Sequence, residues 1–207
     1  MPRRGPWRAW APRDDGARGV KTVDVTLLDS TSLTLAARAA KLCIGKEWTG
    51  GDRVSFLRTL IQRGHESVLE HVVYVFAIDG ISRACLQQLS RHRHTSPSVK
   101  STRWALKAHG DFFVPPELTD EDRNEYVSRC NSMISYGRFL ADRYGNDVGK
   151  YALPECLQTD EILTMNLREL RHIYFLRACE AAMPEIAELA RKMVACLPGE
   201  DQELARC

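Results

Sequence analysis

The chain has 207 residues, of which 44% are hydrophobic and 27% charged, a composition that allows one sizeable core and fits a single domain. With 29 Lys and Arg against 27 Asp and Glu, the net charge is only +2, so no global basic field points to nucleic acid or a membrane surface as partner. No apolar run approaches the roughly 20 residues that span a bilayer, and the seven cysteines show neither a C-x-x-C pair nor zinc-ligand spacing; reduced thiols, no metal and a cytoplasmic location are expected.

Residues 1–19 are rich in Arg, Pro, Gly and Trp, have no apolar period and lack the apolar stretch of a secretory signal. A disordered basic tail or an inaccurate start site is expected there, followed by one domain over 20–200. Residues 20–28 alternate and are β-branched, which predicts a first strand. From Ser30 to Leu42, Leu33, Ala36, Ala37 and Ala40 recur at helical spacing. Asp52 predicts the cap of a second helix carrying Val54, Leu57, Leu60 and Ile61 on one face, with Gly64 as its stop. Glu70-His71 reads either as two metal ligands or as a hydrogen-bonded pair; no third ligand stands at a recognisable spacing, so the pair is the expectation. Residues 72–78 are continuously apolar, a strand buried on both faces. Gly80 is taken to open the next helix, within which Gln88 and Arg91 share a face.

That helix delivers the segment from Arg91 to Trp104, which holds three arginines, a lysine, two histidines and five hydroxyls. Charges in this number cannot be buried without partners. Guanidinium groups are the preferred fork for phosphates, and Ser96, Ser98, Ser101 and Thr102 add short donors. The segment is expected to be a phosphate-binding loop anchored on a rigid element. Beyond it, Thr119-Asp120-Glu121-Asp122 predicts a long helix to about Tyr144, ended by Gly145-Asn146. Residues 157–165 read as a strand, with Asn166 capping a helix and Glu169 three positions on. Pro184 ends or kinks that helix near Glu180, and residues 186–197 form the last helix. Helices and strands do not alternate strictly, which favours an α+β domain, a central mixed sheet flanked by helices. No Gly-x-Gly-x-x-Gly or Walker pattern is present, so a nucleotide or flavin would not be held in the Rossmann manner.

Arg91-His92-Arg93, seven further residues and Ser101-Thr102-Arg103-Trp104 resemble the signature of the flavin-dependent thymidylate synthases. Gly64-His65-x-Ser67-x-Leu69-Glu70-His71, Gly80 to Cys85, Gln88-Leu89, Leu153-Pro154, Asn166-x-Arg168 and Leu176-Arg177 resemble further blocks of that family in the same order, from about Val20 to Leu197. The resemblance implies methylation of uracil C5 of a uridine monophosphate, with methylenetetrahydrofolate as carbon donor, FAD as hydride donor and NADPH as reductant. It implies a homotetramer with active sites between subunits. Uridylate contacts are implied at Gln88, Ser90, Arg91, Ser101, Thr102, Arg103, Lys150 and Arg177, and FAD contacts at Ser67, Arg91, His92, Arg93, Asn166, Arg168 and His172. Arg177 and Ser101 are the implied catalytic residues.

The residues are consistent with that chemistry. Uracil C5 becomes nucleophilic when a cation stabilises the developing anion, and a guanidinium such as Arg177 stays charged. No cysteine lies in the basic segment to add at C6, and Ser101 would need a base, with His92 and His94 near it in sequence. Arg168 and Arg177 are nine residues apart, half a turn of helix, so on one continuous helix they face different partners. Ser98, Val99, Lys150, Trp104 and Pro184 depart from the residues usual in the family. Three alternatives stand beside this reading: the same methylation on the ribonucleotide UMP, a non-catalytic flavin or nucleotide binder, and a nucleic-acid-binding protein, the last disfavoured by net charge and the lack of interleaved aromatics.

Overall fold

The structure, a computed structural model, describes residues 23–106 and 110–206; the tail expected over 1–19 lies outside them. Four strands form one sheet, β1 (Asp24–Ser30), β2 (Val73–Ser82), β3 (Thr95–Val99) and β4 (Gln158–Asn166), in the order β1-β2-β4-β3. Every neighbouring pair is antiparallel, so the expectation of a mixed sheet is corrected. The order of elements in the sequence does not fix strand direction. Antiparallel neighbours need no helical crossovers, and the helices instead cover the sheet.

Strand β2 is central, and its alternation decides the core. Tyr74, Phe76 and Ile78 are fully buried on one face, while Val73, Val75 and Asp79 on the other are half-buried, so one face is shielded less than the apolar run implied. The buried face meets Leu33 and Ala36 of α1 (Leu33–Leu42), Leu57 of α2 (Arg53–Gln62), and apolar residues of three C-terminal helices. Those are α7 (Leu167–Arg177), α8 (Pro184–Ala195) and α9 (Gly199–Arg206). The last of these extends the packed unit beyond residue 200, because Leu204 and Ala205 are buried and Asp201 accepts a 2.7 Å hydrogen bond from the Tyr74 hydroxyl. Three caps follow the residues that predicted them: Asp52, Thr119 and Asn166 each accept a backbone N–H of the first turn of their helix, and Ser32 does the same for α1, which starts at Leu33 rather than Ser30.

Gly80 does not open a helix. It lies inside β2 at φ 75°, where the register with β4 shifts between Ile78 and Ile81. This irregularity places residue 80 at positive φ, which glycine adopts without strain. Gln158 and Asp160 of β4 fix the bulge: Gln158 Nε2 donates to Gly80 O at 2.7 Å, and Asp160 Oδ1 accepts from Gly80 N at 3.1 Å. Helix α3 (Arg83–Leu89) starts three residues later, capped by Ser82, whose hydroxyl accepts from Cys85 N at 3.0 Å. Ser82 N–H and Oγ–H both donate to the Glu185 carboxylate, at 2.6 and 2.5 Å. The start of α8 is thereby tied to the end of β2.

The basic segment is not one loop. Its middle is the edge strand β3, and Pro97 is tolerated there because an edge strand has one unpaired side. A one-turn helix, α4 (Thr102–Ala105), follows. Helix α5 (Asp120–Tyr144) runs along the outside, burying only Cys130, Ile134, Gly137 and Ala141. It meets α6 (Asn146–Gly149) at glycines: a Cβ on Gly149 would stand 2.5 Å from Gly137 O and 2.6 Å from Ala141 Cβ. Met133, Tyr136, Phe139 and Tyr144 on α5 are exposed.

Candidate active site

The site is set by the order β4–α7. Strand β4 ends at Asn166, whose side-chain oxygen accepts from Glu169 N at 2.9 Å and turns the chain into α7. Leu167, Leu170 and Ile173 then face the core. By the 3.6-residue period, Arg168, Arg171, His172 and Phe175 share another face. That face lines a cleft of about 690 Å³ together with Glu66, Glu70, Arg91, His92, Arg93, His94, Asn166 and Glu169.

Four guanidinium groups line the cleft and make it cationic, with three imidazoles among them. Three carboxylates, Glu66, Glu70 and Glu169, balance it in part. Arg168 Nη1 donates to Glu70 at 2.6 Å, and Glu66 lies 3.8 Å from Arg168 Nε and 3.5 Å from Arg171 Nη1. Glu70 is therefore the partner of Arg168, not of His71 as the sequence suggested; it sits on a short 3₁₀ turn (Ser67–His71) that precedes β2.

Arg177, at the end of α7, turns the other way. Its Nε donates to His92 Nε2 at 3.2 Å, and its Nη1 approaches Gln88 Oε1 at 3.5 Å. The separation of Arg168 from Arg177 expected from their spacing is thus observed. His92 is buried, with Nδ1 3.5 Å from Glu169 Oε1 and its ring edge-on to His172 at 5.9 Å. Burial and the neighbouring Arg177 charge hold the His92 imidazole below the usual histidine range, against the opposing pull of Glu169. His92 therefore belongs both to the cleft wall and to the Arg177 network.

The remaining predicted residues fall into separate groups. Arg91 and Arg93 are exposed and line the cleft. Arg103 Nε and Lys150 Nζ converge on Asp147, each at 3.2 Å, and Asn146 Nδ2 donates to Arg103 O at 2.6 Å. Ser101 caps α4, its hydroxyl accepting from Arg103 N at 3.2 Å, while His92 Nε2 accepts from Arg177. Ser90 donates to its own helix at Gln87 O, 2.9 Å away. Thr102 is the first residue of α4, and Ser67 opens the 3₁₀ turn, exposed beside Glu66.

Glu66, Glu169, Arg171 and Phe175 were not singled out as site residues by the sequence, and His94 only as a neighbour of Ser101. Arg171 and Phe175 could have been found, since they fall three and seven positions after Arg168 on the same helical stripe. Glu169 could not, because its Asn166 cap position gave it a sufficient structural explanation. Cys85, buried beneath this region, is no substitute nucleophile: desolvation, then Glu185 and Glu161, push its thiol well up, with Arg177 pulling only weakly the other way.

An α+β chain with a cationic cleft beside a held arginine is a protein built to bind phosphorylated ligands. Comparison with known proteins places it further. The family described as Thymidylate synthase complementing protein matches residues 26–199. The flavin-dependent thymidylate synthase of Wolinella succinogenes is 38% identical over 195 residues, covering 87% of this chain and 96% of the relative. That of Pyrococcus furiosus is 34% identical over 189 residues, covering 83% and 78%. A crystal structure of the Helicobacter pylori enzyme complexed with FAD and dUMP superposes with a TM-score of 0.77 at 29% identity, covering 88% of this chain and 98% of that one. The UMP/dUMP methylase PolB of Streptomyces cacaoi, bound to 5-Br UMP, shares the fold with a TM-score of 0.76 at 21% identity, covering 89% and 94%. The chain belongs to the flavin-dependent thymidylate synthase family.

Proposed function

We propose that this protein methylates uracil C5 of dUMP, giving dTMP, as a flavin-dependent enzyme. The observation that carries the proposal is Arg177, held by His92 with Gln88 beside it, adjoining a cation-lined cleft. Arg177 supplies the fixed positive charge that stabilises the uracil anion, and Gln88 supplies an amide that can pair with the ring. Arg103 and Lys150, with Asp147 between them, form a second cationic group suited to the 5′-phosphate.

The cleft fits FAD. Its volume lies within the range of cofactor sites. Arg91, Arg93, Arg168 and Arg171 match a diphosphate, the carboxylates of Glu66 and Glu70 can accept from ribose hydroxyls, and exposed Phe175 offers a ring face. When bound and reduced by NADPH, FAD supplies the hydride, and methylenetetrahydrofolate supplies the carbon. The protein's part is to orient the uracil, to hold Arg177 charged against it and to keep His92 neutral between the two ligands.

The chain works in the cytoplasm as a homotetramer with active sites between subunits. Supporting the assembly are the exposed Met133, Tyr136, Phe139 and Tyr144 of α5, together with Trp104 and Tyr151, an apolar surface of the kind that subunit contacts cover. The test of function is product formation. Purified protein given dUMP, methylenetetrahydrofolate and NADPH is expected to form dTMP when FAD is present and none after its removal. A protein that gains no flavin absorbance on addition of FAD contradicts the proposal.

A further inference from the structure

We infer that Glu169 is a positioning residue for Arg177, acting through His92 by fixing which imidazole nitrogen carries the proton. The inference rests on the reading of Arg177 as the uridylate-ionising residue. A guanidinium Nε–H can only donate. Its 3.2 Å contact with His92 Nε2 therefore requires a lone pair on that nitrogen. A neutral imidazole with Nε2 unprotonated carries its hydrogen on Nδ1, and Nδ1 faces Glu169 Oε1 at 3.5 Å. Donor and acceptor thus run in one direction, from Arg177 into His92 and from His92 into Glu169.

Both members of the inner pair are enclosed, at 6% exposure for His92 and 7% for Glu169, so water does not readily replace either contact. Glu169 is itself fixed from two sides. Its backbone N–H donates to the Asn166 cap, and Leu170 beside it is buried in the core. His92 is anchored by its own N–H to Leu89 O at 3.0 Å and by the Thr95 hydroxyl on its carbonyl at 2.9 Å. The arrangement has the logic of an outer carboxylate that sets the tautomer of a working imidazole. Here the imidazole's task is to hold the Nε edge of an arginine, leaving the rest of the guanidinium fork for the uracil. If the proton moved to Nε2, two hydrogens would meet and Arg177 would lose its place.

The charged and titratable groups against His92 are Arg177, Glu169 and His172, all from α7; the residues facing it from the end of α3, Gln88 and Leu89, are uncharged. Among the three, Glu169 is the one that favours the imidazolium. Removing its charge therefore lowers the pH at which His92 protonates.

The test uses Glu169→Gln, which keeps size and backbone, with Glu169→Leu as a second variant; melting temperatures confirm that both fold. Nitrogen NMR of protein labelled at histidine and arginine, with His92 assigned by His92→Gln and Arg177 by Arg177→Lys, needs no nucleotide. In the wild type, Nε2 is expected to resonate as the unprotonated nitrogen at neutral pH. In Glu169→Leu, Nε2 is expected to be the protonated one, and the Arg177 Nε–H resonance to shift. In Glu169→Gln, His92 titrates at lower pH, and the acidic limb of kcat/KM for dUMP moves down with it. The plateau of kcat/KM falls about 10-fold or more, the scale on which such outer partners act. A His92 spectrum and an acidic limb that both stay in place in folded Glu169→Gln overturn the inference. If the spectra shift as expected but wild-type protein does not act on dUMP, the uridylate reading falls and the link from Glu169 to Arg177 stands.

Discussion

Replacing Arg177 with Lys separates charge from geometry at the centre of the proposed site. Lysine keeps a positive charge but has one ammonium in place of a planar fork. It loses the Nε–H that His92 Nε2 accepts at 3.2 Å and the Nη1 approach to Gln88 at 3.5 Å. A hydrogen bond from a charged donor contributes about 1.5–3 kcal/mol, which corresponds to roughly 10- to 150-fold at about 1.4 kcal/mol per factor of ten. That range is the expected fall in kcat/KM for Arg177→Lys. In Arg177→Ala the charge goes as well, and a lost anion-stabilising donor alone accounts for about 10²–10³-fold in kcat. Flavin binding is expected to survive both, because the cationic groups lining the cleft, Arg91, Arg93, Arg168 and Arg171, do not include Arg177. The assay pairs dTMP formation with the ratio of flavin to protein absorbance after purification. Loss of flavin in parallel with activity would refute the reasoning, since it would make Arg177 a flavin contact or a structural residue.

Three further outcomes follow from particular contacts. Tyr74→Phe strands Asp201 in the core without its 2.7 Å donor, so stability is expected to fall by about 1–3 kcal/mol and the melting temperature by about 2–4 °C for each of these; an unchanged melt would show the pair to be dispensable. Glu161 is buried on β4 with neither oxygen hydrogen-bonded among the described residues, and desolvation pushes its pKa from 4.5 up to about 7. The folded form therefore holds a proton that the unfolded form releases, and stability drops as pH rises from the lower value through the higher, by about 3 kcal/mol for this one group. Glu161→Gln should flatten that slope in urea titrations between pH 5 and 8, and an unaltered slope would assign it to other groups. For the sugar, Val99 and Lys150 depart from the residues usual in the family, and on the proposed reading they leave the uridylate site looser; an apolar wall rejects an added hydroxyl by only about 100-fold, so UMP is expected to be methylated slowly beside dUMP, and a complete absence of product from UMP would contradict this.

Much of the frame could be read from local chemistry. Caps at Asp52, Thr119 and Asn166 depend on a side chain and a backbone N–H three residues away, so the sequence contains both partners. The opposite outlooks of Arg168 and Arg177 follow from helical period alone. What failed was non-local. Gly80 looks like a helix start until the partner strand is known, because only the register with β4 reveals a bulge. The edge strand β3 was hidden by charge and by Pro97, which an edge accepts and a central strand does not. Helix α9 begins at Pro198-Gly199 and is mostly polar, so its few buried contacts, Leu204, Ala205 and Asp201, carried too little pattern to announce it. At the site, the family signature brought out Arg91, His92 and Arg93, and a further block of the resemblance brought out Arg177. The meeting of His92 with Glu169 and Arg177 joins segments far apart in the chain, and no spacing rule encodes it.

The most direct measurement of the central claim is tritium release from C5 of labelled dUMP by purified protein supplied with FAD, NADPH and methylenetetrahydrofolate. The account predicts release that requires FAD and is lost in Arg177→Ala protein that still carries its flavin. Flavin-loaded wild-type protein that releases no tritium from dUMP would contradict it.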